Sequence, residues 1–140
     1  MKLTRFEHKW ALAALEAMFP GSREQGFVDI AAMDVHGYLV GVMRTLPFKA
    51  RLGLRAAVWL VALAPLVVVR RLCTISSLVP AEAERVVAML GASRWYGVRS
   101  LVMLLKTFGA LLYAGDDRVR ARMLVPSRPT GLVSLRVKRA

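Results

Sequence analysis

Apolar residues recur every three or four positions along most of the chain, a spacing that places them on one face of an α-helix. The first predicted helix begins at Thr4, because Glu7 stands three residues later and completes the spacing of a capping box. A loop is expected at residues 20–26, where the sequence PGSREQG contains proline, glycine and serine. The apolar stripe of the first helix is formed by Phe6, Trp10, Ala14 and Met18.

A second amphipathic helix is predicted from about residue 28 to residue 45. Asp29 and Asp34 lie in its N-terminal half and Arg44 lies near its end, which is the order that the helix dipole favours. Pro47 is expected to end this helix and to open the next one as a first-turn residue. The apolar face of the second helix is formed by Ala31, Val35, Tyr38, Leu39, Val42 and Met43.

The third predicted helix, from about residue 52 to residue 69, contains most of the stretch LRAAVWLVALAPLVVVRRL at residues 54–72, the most apolar of the chain. Its uncharged run covers residues 56–69, and a helix of that length spans roughly 21 Å. The hydrocarbon core of a bilayer is about 30 Å thick, so a helix packed against protein is favoured over a membrane-spanning one. Shallow insertion into one leaflet is the intermediate alternative. Pro65 should kink or end the helix, because it lacks a backbone N–H.

Three more helices are predicted after this stretch. One covers about residues 80–90 and has Gly91 as its C-terminal cap. Another covers about residues 94–114, and a short last helix is capped by Asp116. The apolar face of the longer one is formed by Leu101, Leu104, Leu105, Phe108, Leu111 and Leu112.

The sequence after Met123 changes in character, because it contains two prolines, a glycine and four basic residues. We expect an extended tail there that lies on a partner, with a solvated basic tail as the alternative. Together these patterns predict an all-α protein, a compact bundle of about five to six helices with an extended C-terminal tail. The helical accessory domain would cover residues 1–123 and the tail residues 124–140.

Charge narrows the choice of partner. The chain carries 21 Lys and Arg against 9 Asp and Glu, for a net charge of +12, and 56% of its residues are hydrophobic. A chain that is both apolar and basic suits a membrane surface, a nucleic acid or a larger protein. We expect no nucleic acid, because the basic residues are spread along the chain and no short helix presents Arg and Asn together for a major groove.

Residues with obvious chemistry are few. His8 and His36 are the only histidines, and no acidic residue is spaced to complete a metal site with either. The single Cys73 excludes an internal disulfide, and the nucleotide-binding glycine motifs are absent from the sequence. We therefore expect no catalytic, cofactor-binding or metal site in this chain. The N-terminal sequence MKLTRFEHKW has no secretion-signal pattern, which predicts a cytoplasmic location, peripheral on the inner face of the membrane if lipid is bound.

One ordered set of motifs resembles a known family. The set runs through LPFKARLGLR, LAPL, SSLVPAEAERVVAML and SRWYGVRSLVMLLKTFGALLYAGDDRVRARM. It is similar to the helical module at the front of long-chain fatty alcohol oxidases and related glucose–methanol–choline (GMC) flavoproteins, and to the small subunit named after the third subunit of gluconate 2-dehydrogenase. The matching residues are Leu78, Pro80, Glu82, Glu84, Lys106, Tyr113, Asp116, Asp117, Val119 and Arg120.

The resemblance implies a non-catalytic subunit that packs on a large GMC-type flavoprotein and helps it to fold, to stay assembled or to reach a membrane. FAD, the catalytic histidine and the substrate pocket would then belong to the partner, whose substrate would be an alcohol or a sterol-like molecule. The alternative is a peripheral membrane-binding helical protein with no enzyme partner. The residues expected at the partner interface are Trp59, Leu63, Leu66, Trp95, Leu132, Leu135 and Val137.

Overall fold

The computed structural model describes residues 3–20, 28–68, 70 and 72–124. Two short 3-10 turns, Ile30–Ala32 and Ile75–Ser77, accompany the α-helices. No strand occurs in these described ranges, so the predicted all-α bundle is confirmed. The six α-helices are α1 (Arg5–Met18), α2 (Val35–Thr45), α3 (Phe48–Val68), α4 (Pro80–Gly91), α5 (Tyr96–Gly115) and α6 (Asp117–Leu124).

Local sequence signals account for most helix ends. Thr4 and Glu7 form the predicted capping box, and the Pro47 carbonyl accepts the first hydrogen bond of α3, from the Arg51 N–H. Asp116 caps α6 as predicted, because its carboxylate accepts a hydrogen bond from the Arg118 N–H at 2.9 Å. Pro65 lies inside α3, which continues for three residues beyond it and ends at Val68.

Two predicted boundaries differ from the structure. The helix expected from residue 28 begins at Val35, because Asp29 caps the 3-10 turn and Asp34 caps α2. The Asp34 carboxylate accepts a hydrogen bond from the Gly37 N–H at 2.8 Å, which is the N-cap interaction that starts a helix. Gly91 is the last residue of α4 and Ala92 takes the cap position. The loop predicted at residues 20–26 lies almost entirely outside the described residues.

Helix α3 supplies much of the core and packs against α1, α4 and α5. Helix α1 also packs against α4 and α5, and α6 packs against α5. The predicted stripe of α1 is confirmed at Trp10, Ala14 and Met18, which are buried or pack against the core, and is wrong at Phe6, which is 71% exposed. Its neighbour Glu7 is fully buried instead. The face that α3 turns to the core is formed by Leu54, Ala57, Val58, Val61 and Ala62.

Helices α1 and α5 approach closely at Gly109. A Cβ atom at this position would lie 2.6 Å from Leu15 Cδ2 and 2.6 Å from Phe19 Cε2. Just along the interface, the Phe19 and Tyr113 rings stack with their centroids 6.4 Å apart. The glycine therefore permits the packing distance between the two helices.

We expect Gly109→Val to destabilise the fold by about 1–3 kcal/mol, because the added side chain overpacks this contact. Gly41→Val is the matched control, since a Cβ at Gly41 would meet no atom within 4 Å. The control should stay within about 0.5 kcal/mol of the parent. Urea unfolding followed by circular dichroism measures both, and equal stability of the two variants would contradict close packing at Gly109.

Candidate partner-docking groove

An open apolar groove of about 710 Å³ lies between α3 and the corner that joins α4 to α5. The far wall is formed by Met89, Leu90, Ser93, Trp95, Val98 and Leu101. Ser93 is the only one of these six with a polar side chain. The wall on α3 is formed by Ala56, Trp59, Leu60, Leu63, Ala64, Val67 and Val68.

The groove exists because α3 is apolar on two sides. Its core face turns toward the bundle, and a second stripe, spaced by three or four residues, runs along the groove. Residues on this second stripe keep much of their surface in solvent: Trp59 is 42% exposed, Leu63 is 36% exposed and Val67 is 81% exposed. A helix that is apolar all round normally packs against other groups on every side. The open side of α3 is therefore an exposed apolar patch of the kind that marks an interaction site.

Three residues predicted at a partner interface meet in this groove. Trp59 and Leu63 come from α3, and Trp95, which is 78% exposed, comes from the residue before α5. Leu66 is 38% exposed and lines a neighbouring hollow beside Cys73. The predicted tail contacts, Leu132, Leu135 and Val137, lie outside the described residues.

Trp59 is held in one orientation from beneath the groove. Its indole Nε1 donates a hydrogen bond to Glu7 Oε1 at 2.7 Å. The Trp10 ring meets the Trp59 ring edge to face, with the centroids 5.2 Å apart. An aromatic side chain fixed in this way loses little rotamer freedom when a partner covers it.

The buried carboxylate of Glu7 holds the Trp59 side chain in this orientation. The same Oε1 atom accepts a hydrogen bond from Arg55 Nε at 2.5 Å, while Oε2 accepts one from the Thr4 N–H at 2.7 Å. Burial raises the pKa of the Glu7 carboxyl, but the hydrogen bonds from Thr4, Trp59 and Arg55 outweigh burial, and the net pKa lies below its ordinary value. Glu7 is therefore ionised at neutral pH, although it is fully buried.

The capping-box spacing is the one role that the sequence predicts for Glu7. The one further signal was the spacing of Arg55 and Trp59, four residues apart on α3, which places both side chains on the same side of that helix. Nothing in the sequence pairs that side with α1. The contact arises from the packing of α1 on α3.

A second cleft, of about 450 Å³, is lined by residues of α1, α2 and the first turn of α3, together with Leu3. His8 and His36 face each other there, with ring centroids 4.1 Å apart, and Arg44 and Arg51 line the same space. Burial, followed by the positive charge that His36 can carry, lowers the pKa of His8 below its ordinary value. Within the part of the chain that the structure describes, no group of three or more His, Cys, Asp and Glu residues is placed to bind a metal ion.

Comparison of the chain with protein-family models, with curated proteins and with solved structures finds no significant match.

Proposed function

We propose that this chain is a helical accessory subunit without catalytic residues of its own. It binds a large FAD-dependent oxidoreductase of the GMC type, which acts on an alcohol or a sterol-like substrate, and stabilises that enzyme. The observation that carries the proposal is the open apolar groove between α3 and α5, with Trp59 fixed on one wall and Trp95 exposed on the other. The identity of the partner rests on the sequence resemblance alone.

The groove fits an amphipathic helix of the partner. Its α3 wall runs from Ala56 to Val68, which corresponds to about 18 Å, or roughly three turns of a bound helix. A bound helix would insert side chains at positions i, i+3 or i+4, and i+7 between the two walls. The apolar lining requires apolar side chains on that face of the partner.

Charge at the groove gives the partner a preferred orientation. Arg94 and Arg99 are exposed, and each is adjacent in sequence to a groove residue, Trp95 and Val98 respectively. The chain as a whole carries a net charge of +12. A partner segment with acidic residues beside its apolar face is therefore complementary, and long-range attraction would speed its association.

The two tryptophans are the expected binding hot spots. Large aromatic side chains near the centre of an interface contribute a disproportionate share of the binding free energy, and truncating one typically costs about 2 kcal/mol or more. Trp95 is the better position to test, because Trp59 also hydrogen-bonds to Glu7 and its replacement would disturb the fold.

Copurification tests the proposal. The tagged chain, expressed in its own cell, should be recovered with a yellow flavoprotein of much larger mass. Trp95→Asp should lose the flavoprotein because it places a charge in the groove, whereas Phe6→Asp should retain it. Phe6 is the matched control, since it is 71% exposed and lies on α1 outside the groove. A stable monomer recovered without any flavoprotein would contradict the proposal.

A second function, binding to a membrane surface without an enzyme partner, is favoured by one observation. Helices α3 and α5 are long and apolar enough to cross a membrane, and only 39% and 22% of their apolar windows are buried in the bundle. Vesicle flotation distinguishes this function from the first. A lipid-binding protein floats with anionic liposomes in the absence of any partner and does so less at high salt, because basic residues contribute to binding.

A further inference from the structure

The second cleft, lined by residues of α1, α2 and the first turn of α3, combines positive charge with an apolar wall. Its basic side chains are Arg44 and Arg51, accompanied by the paired rings of His8 and His36. Its apolar side chains are Leu3, Leu39, Val40 and Met43. No acidic side chain lines the cleft among the described residues.

The two arginines are free to bind an anion. The Arg51 Nε donates a hydrogen bond to the Leu46 carbonyl at 2.6 Å, which holds the guanidinium at the cleft without neutralising its charge. Arg44 is exposed and forms no ion pair with any carboxylate in the described part of the chain. Arginine binds carboxylates and phosphates through two parallel N–H groups, so two such side chains beside one space form an oxyanion site.

His8 lines the cleft with its ring. Its Nδ1 atom is buried and has no hydrogen-bond partner in the described structure. A buried polar atom without a partner costs free energy, and native proteins normally satisfy it with protein, water or a ligand. The Nδ1 atom has almost no accessible surface, so a ligand in the cleft meets the open part of the His8 ring and does not reach Nδ1.

We propose that this cleft binds an oxyanion headgroup joined to an apolar chain, as in a medium-chain fatty acid or an alkyl phosphate. Arg44 and Arg51 bind the headgroup, the rings of His8 and His36 lie beside it, and the chain lies along Leu39, Val40 and Met43. The volume of about 450 Å³ falls within the range of small-molecule sites, roughly 300–1,000 Å³. This site is separate from the docking groove and does not depend on the proposed partner.

Isothermal titration calorimetry on the full chain tests this inference, with decanoate as the probe below its micelle concentration. Decanoate should bind saturably, and octanoate should bind more weakly, by up to about fourfold for each methylene lost. Decanol, which lacks the charge, and inorganic phosphate, which lacks the chain, should each bind at least tenfold more weakly. Decanol binding as tightly as decanoate would overturn the proposal. If inorganic phosphate binds as tightly as decanoate, the apolar chain does not contribute to binding and the assigned apolar wall is wrong.

Variants locate the site. Arg44→Gln should weaken decanoate binding at least tenfold, whereas Arg99→Gln, a matched exposed arginine outside the cleft, should leave it unchanged. Trp95→Asp tests the docking groove as the competing site. Loss of binding in Trp95→Asp with retention in Arg44→Gln would overturn the assignment. In the parent chain, decanoate should also shift the ring nitrogen resonances of His8, a change that binding in the groove would not produce.

Discussion

Val58→Asp should unfold the chain, whereas Leu63→Asp, five residues further along the same helix, should leave it folded. Val58 is fully buried in the core, and an aspartate there would have to remain charged without a partner or become protonated. Either outcome costs several kcal/mol, which is comparable to the whole stability of a small domain, about 5–15 kcal/mol. Leu63 is 36% exposed on the groove wall, where a carboxylate can reach water.

Thermal and urea unfolding followed by circular dichroism check this pair. Val58→Asp should show no cooperative transition, and Leu63→Asp should retain one within about 1 kcal/mol of the parent. Val58→Ala is the control for lost bulk without added charge, and it should fold with reduced stability. In copurification, Leu63→Asp should lose the partner although it is folded. If Val58→Asp shows a cooperative transition with the same free energy of unfolding as the parent chain, the core face assigned to α3 is wrong.

Glu7→Gln should cost about 3 kcal/mol of unfolding free energy. The carboxylate accepts hydrogen bonds from Thr4, Arg55 and Trp59, and an amide oriented for one of these donors turns its NH₂ group toward another. Removing one partner of a buried ion pair typically costs about 3–5 kcal/mol, and the lower value applies because the Arg55 side chain is 27% exposed.

Matched variants isolate the interaction. Glu84→Gln on α4 should stay within about 0.5 kcal/mol of the parent, because no hydrogen bond of its carboxylate is found in the described structure. A double-mutant cycle with Arg55→Met should give a coupling of about 1 kcal/mol or more. Additive effects of Glu7→Gln and Arg55→Met would show that the two side chains do not interact in solution.

The pH dependence of stability provides a second check on Glu7. Because the pKa of the folded-state carboxyl lies below the ordinary value of 4.5, the unfolded chain takes up a proton first as the pH falls. The contribution of the ionised Glu7 carboxylate to the free energy of unfolding is therefore complete above pH 4.5. It is lost as the pH falls below 4.5 and through the folded-state pKa. Glu7→Gln should remove this part of the acid destabilisation. His8 acts at higher pH, since its lowered pKa makes stability fall as the pH drops below its ordinary value of 6.5.

Sequence by itself determined which segments are helical and where most of them begin or end. The capping box of α1, Pro47 before α3 and Asp116 before α6 are interactions between residues a few positions apart, so they are visible in the order of the residues. The start of α2 at Val35, instead of near residue 28, also depends on local caps but could not be predicted. Asp29 and Asp34 are both good caps, and sequence alone does not decide which of them begins the helix.

Tertiary packing decided how each helix is rotated and which of its faces is covered. Helix α3 is apolar on nearly every side, so its periodicity could not separate Val58 in the core from Leu63 in the groove. Likewise, Glu7 meets Arg55 and Trp59 across 48 and 52 residues of chain, and the His8 ring on α1 meets the His36 ring on α2. Local helix propensity acts over one or two turns. The pairings between helices depend instead on how side chains from separate helices fill a shared volume. The spacing of residues within a single helix does not encode that packing.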